Sequence, residues 1–334
     1  MPLHGYGVLV ARATDRRREG TTDTPHYQVL VATENGGEYR IAINVLSQQA
    51  PAELLYRVID DFQHPILNSL AQFGDGWNPL PSTPGGAALD FIRGNLFDPG
   101  EMRMLPADVS GPDNDLADLF DHYVERALAD PQARLYAFGQ RWGPEPALAD
   151  KVFGFTPGNG VHDIHMNQGN SGPFQRDDGV WQDGGLLFHF PGENRWVAVF
   201  LAFQNQAWHT DDLTGHAIEG GPAPAANQAA VRVLAALVNP VGPAPEREWV
   251  MLINASPEPV DLTGWQLSDQ AKRKCLVPGQ ALQPGAIITV PLSNGRAVLG
   301  NKGGQITLLD AAGLKVHGVA YTADDAREGW TAVF

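Results

Sequence analysis

The residues best suited to chemistry crowd into one short stretch of this 334-residue chain. Val161-His162-Asp163-Ile164-His165-Met166-Asn167-Gln168-Gly169-Asn170 holds two imidazoles, a carboxylate and three amides. Read as a strand over 161–167, alternation puts Asp163, His165 and Asn167 on one face, with Ile164 and Met166 on the core side beside His162. A carboxylate, an imidazole and an amide sharing a face suit a divalent cation or a positioned water. Gln168 and Asn170 follow as candidate substrate contacts. Gly158, Gly160, Gly169 and Gly172 bracket the stretch and permit tight turns and a close approach of ligand to backbone.

Two further segments supply candidates. His189 lies in the apolar run Leu186–Phe190 with Asp183 just ahead of it, and His209 follows Asn205-Gln206-Ala207-Trp208. If the three strands are neighbours, their polar ends converge. His162, Asp163, His165, Asn167 and His189 then read as the catalytic group, and His162, His165, Asp183 and His209 as ligands of a divalent metal of unspecified element with an open position. A metal-free histidine pair acting as general base and acid on a phosphodiester fits equally. The competing reading is a hydrogen-bonded structural network, since a strand histidine among apolar neighbours is more often a core residue. His209-Thr210-Asp211 has the His-x-Asp form of non-haem iron sites, but His216 stands too near to complete it.

Arg16, Arg17 and Arg18 are a second feature, because guanidinium forks suit phosphate oxygens. Asp15 and Glu19 flank the run and could satisfy it locally. Asp113-Asn114-Asp115 sits where a helix N-cap is expected, which is a better assignment than a cation site.

These residues need a scaffold, and the scaffold reads as strands. Segments 5–13, 27–32, 39–46, 134–139, 151–155, 161–167, 185–190 and 195–205 have strand character, with Asn35-Gly36-Gly37 as a hairpin turn. Residues 51–62 (Leu54, Leu55 and Val58 on one side) and 115–129 predict helices. Residues 1–220 are thus expected to be mainly β with a few helices (α+β). Residues 221–246 read as a Pro-rich linker with a short helix over 227–238. Residues 247–334 carry short strands with turns every 8–12 residues, the pattern of an immunoglobulin-like β-sandwich.

Composition bounds the function. Thirty-seven glycines and 26 prolines favour turn-rich β structure. A single cysteine, Cys275, excludes an intrachain disulfide framework and a Cys-rich zinc site. No apolar run reaches the roughly 20 residues of a membrane span. The N-terminus shows no signal peptide, so a cytoplasmic location is expected, with export by another route left open. Residues 1–231 carry 14 Lys and Arg against 29 Asp and Glu, whereas residues 232–334 carry nine of each. That acidic balance argues against tight non-specific nucleic-acid binding. Phosphate-loop, dinucleotide and Gly-x-Ser-x-Gly motifs are absent.

Two resemblances cover most of the chain. Val260-Asp261-Leu262-Thr263-Gly264-Trp265-Gln266-Leu267, Leu282-Gln283-Pro284-Gly285, Leu299-Gly300-Asn301-Lys302-Gly303-Gly304 and Val319-Ala320-Tyr321 make residues 247–334 similar to a lamin-tail domain. Such bacterial domains usually accompany hydrolases and nucleases, which implies an accessory module, passive or binding a protein or other partner. Tyr6-Gly7-Val8-Leu9, Pro25-His26-Tyr27-Gln28, Leu89-Asp90-Phe91-Ile92-Arg93 and Gly160–Asn170 make residues 2–218 resemble the bacterial YukJ-like family of unknown function. That family supplies no catalytic residues.

The expectation is a hydrolase, a metal-dependent phosphodiesterase or nuclease, acting on nucleic acid or another phosphodiester. The alternative is a non-enzymatic binding or assembly protein whose polar cluster is structural.

Overall fold

One strand of thirteen residues, β1 (Tyr6–Arg18), organises the first half of the chain. In this computed structural model residues 5–18, 26–45, 54–80, 103–105, 109–163, 184–203, 230–242, 247–271, 273–311, 313 and 315–334 are described. They fall into two compact units. The first draws on residues within 1–62, 70–90 and 102–206, the second on residues within 63–69 and 207–334.

The first unit is built from β1, β2 (His26–Ala32), β3 (Glu38–Asn44), β4 (Leu54–Ile59), β5 (Gly76–Pro79), β6 (Arg103–Met104), β7 (Arg134–Glu145), β8 (Gly158–His162), β9 (Gly184–Phe190) and β10 (Arg195–Phe203). A bulge between Ala13 and Asp15 breaks the register of β1. The C-terminal half of β1 pairs with β2, while Tyr6–Ala11 pairs with β7 and Gly7–Val10 with β5. β2 and β3 form the expected hairpin, β3 runs parallel to β8, and β8 pairs antiparallel with β7. The order β1-β2-β3-β8-β7 therefore closes back on β1 as a barrel, and β9-β10-β4-β6 extends the sheet from β7.

Two helices are described, the short α1 (Ile66–Leu70) and α2 (Leu116–Ala129). Asp115 caps α2 as the sequence predicts, its carboxylate accepting from the Asp118 N–H at 2.8 Å. Leu116, Phe120 and Val124 share one core with the barrel residues Leu9, Val29, Ile41, Leu135 and Val161.

Three expected elements differ. Residues 54–59 form β4 instead of a helix, paired with β10. Leu, Leu and Val at i, i+1 and i+4 fit either period, and the pairing decides: Tyr56 and Val58, two apart, both pack on the core. Residues 151–155 are turns, not a strand. The segment expected as a strand over 161–167 is β8, which ends at His162; residues 164–167 lie outside the described residues.

The second unit contains β11 (Val231–Leu237), β12 (Trp249–Asn254), β13 (Val260–Asp261), β14 (Gln266–Asp269), β15 (Lys274–Leu276), β16 (Ala281–Leu282), β17 (Ile287–Pro291), β18 (Gly303–Leu309), β19 (Lys315–Thr322) and β20 (Ala332–Val333). Its main sheets run β17-β12-β11-β20 and β15-β14-β18-β19. Val233, Val250, Leu267 and Leu308 meet in one core, joined by Trp265 after the turn at Gly264, whose φ of 81° suits glycine. The short helix expected over 227–238 is β11 where it is described. Buried Val231 and Val233 alternate with exposed Arg232, a period of two, and β11 belongs to the sandwich.

Candidate functional site

The polar residues gather on the outer side of the barrel, where β2 begins and β3 and β8 end. Val161 fills the barrel core, so alternation turns His162 outward and Asp163 inward. This reverses the parity expected from sequence. Ala42 of β3 and Gln140 of β7 flank His162 in register, and His26 pairs with Asn44 in the neighbouring ladder. The His26 and His162 rings meet edge to face with centroids 6.3 Å apart, both half-buried. Nothing local in the sequence ties His26, within Pro25-His26-Tyr27-Gln28, to a residue 136 positions later.

Glycine shapes the surroundings. A Cβ on Gly160 would stand 2.1 Å from the Arg40 carbonyl and 2.3 Å from the Trp142 ring. A Cβ on Gly139 would stand 1.7 Å from the His162 carbonyl. The close approach expected of Gly160 is thus made by the protein's own Trp142. That indole packs edge-on to His162 at 4.7 Å and lies under the Arg40 guanidinium at 4.6 Å. Arg40 donates to the Asp150 carboxylate and to the side-chain Oε1 of Gln28, which completes a buried, paired network beside the imidazoles.

Asp163 is fully buried. Its Oδ1 accepts from the Gly185 N–H at 3.2 Å, and its Oδ2 has no hydrogen-bond partner among the described residues. Burial pushes this carboxyl well above its ordinary range, against the smaller pull of the Gly185 N–H. Ionisation of this carboxyl is thereby disfavoured. The Asn44 Oδ1 is likewise buried without a partner among the described residues.

His189 stands apart. It pairs in register with Arg134 on β7, whereas His162 pairs with Gln140. Six strand residues separate those positions, roughly 20 Å. His189 stacks on Trp196 at 4.2 Å, and burial lowers its pKa. His165, Asn167, Gln168, Asn170, Asp183 and His209 lie outside the described residues. Among the described residues no group of three His, Cys, Asp or Glu side chains could hold a metal ion.

The arginines face carboxylates of this chain. Arg16 pairs with Asp121 and Glu125, and Arg18 bonds Asp118 and Asp121 at 2.5 and 2.6 Å. Arg17 donates to the Val152 carbonyl and lies over the Phe153 ring at 4.8 Å. Arg16 and Arg18 thus clamp β1 to α2. The local partner Asp15 only approaches Arg17, at 3.8 Å.

No helix among the described residues is long and apolar enough to cross a membrane. No solved structure matches the chain. Residues 224–323 match the lamin tail domain, whose immunoglobulin-like fold agrees with the sandwich of the second unit. "Uncharacterized protein YukJ" of Bacillus subtilis (strain 168) is 45% identical over 214 residues, 64% of this chain and 93% of that protein. Residues 1–215 match the model described as "Uncharacterized conserved protein (DUF2278)", so the chain belongs to that YukJ-like family and carries a lamin tail domain behind the family region.

Proposed function

We propose that the first unit hydrolyses a phosphodiester, with His26 and His162 as its acid–base pair. The meeting of the two half-buried imidazoles on one barrel face carries this reading. One neutral ring takes a proton from the attacking water as its oxygen bonds to phosphorus. The other, protonated, gives a proton to the leaving oxygen as the second P–O bond breaks. The Asn44 amide stands beside His26 as a positioning group.

Barrel connectivity supports a ligand here by analogy of fold. Numbered among themselves in chain order, the five strands run 1-2-3-5-4-1, with the third and fifth parallel and α2 between the third and fourth. That is the connectivity of OB-type barrels, which take oligonucleotides and oligosaccharides on the face of the second and third strands. The acidic balance of residues 1–231 favours a short phosphodiester over a long polyanion.

The test incubates the full chain with bis(4-nitrophenyl) phosphate and with a short single-stranded RNA, in EDTA and separately with Mn2+ or Zn2+. We expect turnover in EDTA with a bell-shaped pH profile, reduced about 10²–10⁴-fold in His26→Ala and in His162→Ala. Turnover indifferent to both substitutions overturns the assignment of the pair, as does a strict metal requirement; the latter restores a divalent cation to the reading. Absence of turnover under every condition overturns the hydrolase. It then favours a binding or assembly role, for which the closed Arg40–Asp150–Gln28 network is the supporting observation.

A further inference from the structure

At the opposite end of β3 the barrel opens into a cavity of about 280 Å³. Tyr39, Arg141, Phe155, Thr156 and Asn159 line it, with the Gly36-Gly37 turn at its rim. Tyr39 pairs with Val31, and Arg141 pairs with Val161. Both partners belong to the barrel core, so Tyr39 and Arg141 point along the interior towards this mouth. The phenol of Tyr27, near the start of β2, instead bonds Asp121 of α2, so the helix attends the other end. Mouths of barrels are recurrent small-molecule sites.

Arg141 makes this mouth more than a hollow. Its Nε is buried and has no hydrogen-bond partner among the described residues. Its guanidinium lies 5.7 Å from the Trp77 ring and has no carboxylate partner within ion-pair distance among the described residues. The Asn159 amide nitrogen is committed to the Glu38 and Pro157 carbonyls, which fixes that side of the cavity. A guanidinium lining a cavity with no carboxylate of its own among the described residues is best matched by an ionised oxygen, which its terminal nitrogens can reach. Tyr39 and Phe155 offer apolar walls. Glu38, exposed at the rim, disfavours a dianion.

We infer that this mouth binds a small monoanionic carboxylate carrying an aromatic ring, with the carboxylate on Arg141 and the ring between Tyr39 and Phe155. The site lies across the barrel wall from the proposed acid–base pair: Arg141 pairs with Val161 and faces the interior, whereas its neighbour Gln140 pairs with His162, which faces outward.

Benzoate, phenyl phosphate and uncharged benzamide are titrated into the full chain by calorimetry and followed by ¹⁵N-resolved NMR. Benzoate should saturate and perturb the amides around Tyr39, Arg141 and Thr156. Benzamide should bind at least about tenfold more weakly, as should benzoate to Arg141→Ala. Arg141→Lys should fall between and keeps the test decisive if the alanine variant unfolds. His26→Ala and His162→Ala should leave benzoate binding unchanged. No saturation by about 10 mM benzoate overturns the proposal. So does equal binding of benzamide or by both Arg141 variants. Tighter binding of phenyl phosphate overturns the monoanion assignment.

Discussion

Arg40 and Asp150 meet as a buried ion pair, Nε to Oδ2 at 2.7 Å, with side chains 7% and 1% exposed. They are 110 residues apart, and their union holds the loop between β7 and β8 against the face that carries His162. Burial pushes the Asp150 carboxyl up. The Phe153 N–H, the Arg40 guanidinium and the Val152 N–H together outweigh it and hold the group below its ordinary value.

Removing one partner leaves the other buried and charged. Arg40→Met or Asp150→Ala should cost about 3–5 kcal/mol in urea denaturation of the first unit. The double variant Arg40→Met/Asp150→Leu should recover much of that loss. Because the folded pKa of Asp150 is depressed, its contribution is present above about pH 3.8, the unfolded value, and is lost as the pH falls through the folded one. A single variant costing no more than an exposed ion pair would show that the network does not hold the loop.

Asp163 has the opposite sign. Its folded pKa is raised by burial, so its contribution is fully present below the unfolded value and is lost as the pH rises through the folded one. Asp163→Asn keeps the shape and removes the ionisation. We expect the variant to match or exceed the wild type in stability at pH 8, with the advantage shrinking towards pH 4. Thermal melts across that range read the difference directly. A variant uniformly less stable by more than about 2 kcal/mol would show instead that the ionised carboxylate is required.

The arginine clamp predicts a small, salt-sensitive effect. Arg18→Ala removes bonds to Asp118 and Asp121 on the partly exposed surface of α2. The loss should be about 0.5–1 kcal/mol in dilute buffer and should fade towards 1 M NaCl. Phosphodiester turnover per folded molecule should be unchanged in Arg17→Ala and Arg18→Ala. A selective rise in KM in either variant would return these residues to substrate binding.

Much of the architecture was legible in local pattern. The β2–β3 hairpin announces itself through Asn35-Gly36-Gly37, and α2 through Asp115 ahead of Leu116, Phe120 and Val124. β4 and β11 were not, because short apolar runs with leucine, valine and alanine satisfy both periods until a pairing partner chooses. The site was half legible. His162 and Asp163 stand out by type, but their opposite orientations follow from Val161 entering the core, and His26 joins them only through the β2–β3–β8 register. The arginines are the converse case. Their flanking acids suggested local pairing, whereas their main partners lie about a hundred residues away on α2.

His64 supplies the last prediction, in the second unit. It is buried, its Nδ1 accepts from the Ile66 N–H at 3.1 Å, and its Nε2 lies 3.3 Å from the Gln305 amide nitrogen. Burial lowers its pKa to about 3. In the unfolded chain the same imidazole titrates near 6.5, so between about pH 6.5 and 3 the unfolded state binds a proton that the folded state refuses. Stability from this residue is therefore present above about pH 6.5 and drains as the pH falls, by up to about 1.4 kcal/mol per pH unit. Protonation at Nδ1 would also forfeit the Ile66 bond. Urea denaturation of the full chain between pH 7 and pH 4, read on the resolved indole NMR signals of Trp249 and Trp265 in the second unit, should show this slope. His64→Gln should start less stable at pH 7 and lose less on acidification, so that the two curves converge. Parallel curves would mean that His64 is open to water and titrates alike in both states.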